Sequence, residues 1–112
     1  MMKVLIIEDE PLAAARLKNL LKEINSSIEV LQIIDTVKSS IKWFSENDTP
    51  QLVFMDIQLA DGLSFEIFEK IEISAPVIFT TAYDEYALKA FKVNSIDYIL
   101  KPIDEKIGRA HV

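Results

Sequence analysis

The sequence predicts an α/β domain, a parallel sheet doubly wound by helices, and three observations carry that expectation. Short apolar runs without alternation, such as residues 4–7 and 52–55, read as strands buried on both faces. Between them lie segments with apolar residues at helical spacing, and the connections are short. The 112 residues are 50% hydrophobic and 27% charged, with only 2 Gly, which suits one compact domain around a single core.

The first strand, residues 3–7, stops at Glu8, Asp9 and Glu10. Pro11 suits the first helical position, where a missing N–H costs nothing. Ala13, Leu17, Leu20, Leu21 and Ile24 then form the apolar stripe of an amphipathic helix, with Arg16, Lys18, Lys22 and Glu23 off it. Ser26 and Ser27 end that helix, and residues 29–34 form the second strand. Val37, Ile41 and Phe44 mark a second helix, which residues 47–50 terminate; Trp43 falls off the stripe and reads as a half-covered flank residue. The third strand runs through Leu52 into Asp56 and a loop containing Asp61 and Gly62. Ser64 is placed to cap a short helix carrying Leu63, Ile67 and Ile71. A fourth strand, residues 76–80, leads to Thr81 and Ala82. Asp84 is a good cap for a fourth helix with Leu88 and Phe91, and the fifth strand, residues 95–100, stops at Lys101-Pro102.

Several function classes are disfavoured. With no cysteine, disulfides and thiolate metal sites are excluded. A net charge of −6 argues against this segment gripping nucleic acid through its phosphates. No apolar run approaches membrane-spanning length, and the run before Glu8 is too short for a signal peptide core. A cytoplasmic protein is the simplest expectation.

In a parallel sheet the carboxyl ends of the strands share one edge, where open α/β sheets place their ligands. That edge collects Glu8, Asp9, Asp56, Thr81 and Lys101 from four strands. Three carboxylates this close repel one another, and a hard divalent cation such as Mg²⁺ relieves the repulsion. Cation, lysine and hydroxyl together suit a phosphoryl group, and the Asp56 carboxylate is the natural nucleophile.

With Glu8-Asp9 after the first strand, Met55-Asp56-Ile57 after the third, Thr81-Ala82 after the fourth and Tyr98-Ile99-Leu100-Lys101-Pro102 in the fifth, the chain resembles a response-regulator receiver domain. Residues 81–103 resemble in particular receivers of the LytR/AlgR (LytTR) class. The resemblance implies the flavodoxin-like, CheY-like sheet with strand order 2-1-3-4-5. It also implies that Asp56 accepts phosphate from a sensor histidine kinase, and that Asp9, Asp56 and the Gln58 carbonyl bind Mg²⁺ with Glu8 acting through a water. Thr81 would contact the phosphoryl oxygens and Lys101 would pair with them. Tyr98 would be the aromatic switch, and the bond before Pro102 would be cis. The domain would not be an enzyme beyond self-phosphorylation and slow self-dephosphorylation. Its output would pass to a LytTR-type DNA-binding domain absent from this chain.

The chain departs from the family pattern at Ala60, Gly62 and Ser64, which leaves the conformation of the loop after Asp56 open. Residues 104–112 are too short and too weakly patterned for the usual last helix, and the receiver is expected over 1–107, with 108–112 a foreign or disordered tail. A truncated last helix would leave Val4, Ile6 or Ile99 partly uncovered and favour a homodimer through the edge of the fourth and fifth strands. Two other readings are a degenerate receiver that only docks partners and an aspartyl-phosphate phosphatase. Gln58, standing where such phosphatases carry a second Asp, speaks against turnover.

Overall fold

The computed structural model describes residues 2–81 and 95–100, with Thr81 and the last six described as backbone only. The chain runs β1 (Lys3–Ile7), α1 (Pro11–Ile24), β2 (Glu29–Ile34), α2 (Val37–Glu46) and β3 (Leu52–Asp56). It continues through β4 (Gln58–Leu59), β5 (Gly62–Leu63), α3 (Phe65–Lys70), β6 (Val77–Thr81) and β7 (Ser95–Leu100). The expected helix after Asp84, Lys101 and the Pro102 bond lie outside the described residues.

The principal sheet has the order β2-β1-β3-β6-β7 and every pairing in it is parallel. This is the expected 2-1-3-4-5 order, with a two-stranded antiparallel hairpin, β4-β5, added in the loop after β3. Alternate residues of the central strands feed two cores, which is why these strands are apolar without alternation. Val4, Ile6, Phe54 and Ile78 pack with Leu17, Leu20 and Leu21 of α1 on one side. On the other, Leu5, Ile7, Val53, Met55, Val77 and Phe79 meet Val37 and Trp43 of α2 and Phe65 and Ile67 of α3. Burying each such leucine or phenylalanine stabilises the fold by about 1.5–3 kcal/mol. Phe79 anchors α3 through the rings of Phe65 and Phe68, at centroid distances of 5.6 and 6.1 Å.

Leu63, expected on the third helix, belongs to β5, and four further details differ from the sequence reading. Trp43 is buried in the core, not at a half-covered flank, because α2 faces the sheet with Val37, Ser40 and Trp43, while Ile41 and Phe44 are partly covered at the sides. Ser40 tolerates that position because its hydroxyl donates to the Thr36 carbonyl at 2.7 Å. In α1 it is Ala14, not Ala13, that is fully covered. Ser64 stands at the start of α3 with helical dihedrals and makes no capping bond, since a cap needs extended backbone to turn its oxygen onto the helix. Val4 and Ile6, expected to be partly uncovered, are fully buried, with α1 packed over them. No described helix is long and apolar enough to cross a membrane.

Candidate functional site

β1 and β3 are neighbours in register, Ile7 opposite Met55, so the residues that follow Ile7 meet Asp56 at the carboxyl edge of the sheet. Glu8, Asp9 and Asp56 each offer a carboxylate oxygen there, and these atoms all lie within 4.8 Å of one another. Glu8 and Asp56 are buried and Asp9 is half-buried. Glu8 is steadied at both ends, its N–H donating to the Ile34 carbonyl at 2.8 Å and its Oε2 accepting from the Glu10 amide at 3.1 Å. Two unit negative charges at this range repel by about 3 kcal/mol at an effective dielectric near 20, so an ionised cluster favours a cation.

An all-oxygen set of carboxylates suits a hard ion. Ligand oxygens around one octahedral Mg²⁺ lie no more than about 4.2 Å apart, given bonds of about 2.1 Å. The three carboxylate oxygens, all within 4.8 Å of one another, lie close enough together to share one such ion and its waters. The residues present fit the ion.

Asp56 pairs with Thr80 of β6 in the sheet register, and the Ile57 amide donates to the Thr80 carbonyl at 3.3 Å. Thr81 is the next residue along β6, level with Leu100 of β7, while Tyr98 lies opposite Phe79. Their backbones thus occupy the same and the adjacent strand; their side chains, like Lys101, lie outside what is described. Gln58 opens β4 two residues beyond Asp56, with an exposed side chain.

The loop left open by the sequence is the β4-β5 hairpin. Its base is held by the Ser64 amide, which donates to the Ile57 carbonyl at 2.8 Å, and Leu59 is buried in the core. Gly62 has φ +150°, a conformation that disfavours any other residue. The Leu63 amide donates to Glu66 Oε2 at 3.0 Å.

Sequence reasoning missed Asp61. Its Oδ1 accepts from the Val37 amide at 2.6 Å and its Oδ2 from the Lys38 amide at 3.1 Å, so the hairpin tip caps α2. Burial pushes the Asp61 carboxyl up, but the amides of Val37, Lys38 and Asp61 itself outweigh this and hold it below its ordinary range. No local signal marks this role, because the partners stand 24 and 23 residues earlier.

The chain is similar to known proteins along almost its whole length. The chain is 44% identical over 109 residues to the sensory transduction protein LytT of Bacillus anthracis, covering 95% of this chain and 44% of that protein. It is 41% identical over 108 residues to the transcriptional regulatory protein LytR of Staphylococcus aureus strain N315, covering 94% and 43%. The chain thus spans less than half the length of these relatives. Among solved structures, the response regulatory domain of mrkE from Klebsiella pneumoniae superposes with a TM-score of 0.77 at 31% identity, covering 98% of each chain. The receiver domain of PhyR from Erythrobacter litoralis gives 0.79 at 33% identity, covering 98% of this chain and 85% of that one. Receiver domains hold Mg²⁺ in an acidic pocket, and Glu8, Asp9 and Asp56 form such a pocket here. Residues 4–112 match the response regulator receiver domain family, and the chain belongs to it.

Proposed function

We propose that this domain is the phosphoacceptor of a two-component response regulator, with Asp56 taking a phosphoryl group from the phosphohistidine of a sensor kinase. The observation that carries this reading is the buried Asp56 carboxylate beside Glu8 and Asp9 at the carboxyl edge of the sheet. A carboxylate oxygen of Asp56 forms the bond to phosphorus as the P–N bond of the phosphohistidine breaks. The imidazole nitrogen keeps that electron pair and takes a proton from solvent. Asp9, Asp56 and the Gln58 carbonyl would hold Mg²⁺ directly and Glu8 through a water. When bound, the ion offsets the negative charge gathered on the phosphoryl oxygens. Thr81 would donate to those oxygens, Lys101 would pair with them, and Tyr98 would fill the space that Thr81 vacates. Two packings of similar energy thereby become one favoured packing.

The domain would act in the cytoplasm as a signalling module, relaying its state to a LytTR-type DNA-binding domain. Mass spectrometry after treatment with acetyl phosphate and Mg²⁺ tests the reading. The chain should gain about 80 Da, the mass of one phosphoryl group, and Asp56→Asn should gain nothing. An adduct on Asp56→Asn would falsify the assignment of Asp56. Lack of any adduct on the unsubstituted chain would favour a degenerate receiver, and continuous turnover of acetyl phosphate a phosphatase.

A further inference from the structure

The hairpin after Asp56 is too small to hold its own shape. Strands of two residues contribute almost nothing in isolation, and this one pairs Gln58 with Leu63 and Leu59 with Gly62 around the tip Ala60-Asp61. Its geometry must come from what it is fastened to. At the base the fastening is the Ile57 carbonyl and the buried Leu59 side chain. At the tip it is Asp61, whose two oxygens take the Val37 and Lys38 amides.

Those amides belong to the first turn of α2, where backbone donors have no partner inside the helix. A carboxylate there gains both hydrogen bonds and the favourable helix dipole. Thr36 Oγ1 separately accepts from the Ser39 amide at 3.0 Å, so the helix end is served twice and only one cap comes from the hairpin. The helix itself is seated in the core by Val37, Ser40 and Trp43. Gln58 lies between the two fastenings, with buried neighbours on both sides at Ile57 and Leu59.

We propose that Asp61 is a positioning residue for cation binding: by tying the hairpin tip to the first turn of α2, it fixes the Gln58 carbonyl where the ion needs it. Asp61 is not one of the clustered carboxylates, so its action is exerted through the loop. The inference rests on the proposed role of the Gln58 carbonyl. Outer-shell groups that orient a ligand are typically worth 10–100-fold in metal affinity.

The test is an NMR titration of the chain with MgCl₂, following backbone amides, beside thermal melts of each variant. Asp61→Ala should weaken Mg²⁺ binding by about tenfold, the lower end of the outer-shell range. Asp61→Asn keeps one acceptor for the Val37 amide and should give a smaller loss, which serves if the alanine variant fails to fold. Thr36→Ala removes the local cap of the same helix and should leave Mg²⁺ binding unchanged, separating helix stability from loop placement. Glu66→Gln removes a charge beside Gly62 while keeping an acceptor for the Leu63 amide, and it too should leave binding unchanged. Wild-type affinity in both Asp61 variants, or an equal loss in Thr36→Ala or Glu66→Gln, overturns the inference alone. Absence of saturable binding in the unsubstituted chain overturns the reading of the site, and this inference with it.

Discussion

Helices α1 and α2 both begin at the carboxyl edge of the sheet, on opposite faces of it, and their first turns are completed in opposite ways. Glu10, at the cap position of α1, makes no side-chain capping bond, although its backbone is extended and its carbonyl accepts from Ala14. Pro11 removes one of the donors that would need a partner. At α2, Thr36 caps locally and Asp61 caps from a distance. The difference shows how a helix end can be used: α1 starts directly from the acidic cluster, whereas α2 lends its donors to the loop that follows Asp56.

The strongest way to break this contrast is Gly62→Ala. The positive φ at the hairpin costs about 1–3 kcal/mol for a residue with a side chain, and the new Cβ would overlap the Glu66 carboxylate. Urea unfolding should register the loss, and the Val37 and Lys38 amides should exchange faster as the tip is displaced. Thr36→Ala removes the local cap alone and should cost about 1 kcal/mol by the same measurement. Conversely, Glu10→Asp gives α1 a capping side chain and should raise stability by about 0.5 kcal/mol; no gain would mean that Pro11 has already made a cap superfluous.

The smallest effect is a pH dependence. The Asp61 carboxyl is held below its ordinary value of 3.8, so its contribution is fully present above that pH and fades as pH falls through the lower folded value. The melting-temperature gap between the chain and Asp61→Asn should therefore be constant from neutral pH to above 4 and narrow below it. The effect is small because the group is exposed and screened.

Where burial and local chain chemistry coincide, the sequence was readable. β1 runs over the expected residues because it is an apolar segment closed by polar ones, β2 does so as an edge strand in which Glu29 and Gln32 are exposed and Ile34 is buried, and α1 starts at Pro11 as its ring requires. Glu8, Asp9 and Asp56 could be brought together on paper because parallel strands end on one edge, and they do cluster. Trp43 was misjudged because a helix facing two neighbours buries a wide arc, so a stripe drawn through Val37, Ile41 and Phe44 is too narrow. The hairpin was invisible because two-residue strands carry no alternation, and Asp61 because its partners lie across the fold.

The parallel register carries a further consequence, for the newborn chain. β1 lies between β2 and β3, and Lys3 exchanges hydrogen bonds with Gln51, 48 residues further on. At about 5–20 residues per second of synthesis, β1 waits about 2–10 s before β3 exists. Through that interval the uninterrupted apolar run Val4, Leu5, Ile6 and Ile7 has at most β2 beside it, with its other edge open to any strand it meets. The length of this exposure is set by the residues between β1 and β3, so an insertion in the surface turn after α2 would lengthen it without weakening any contact in the finished domain.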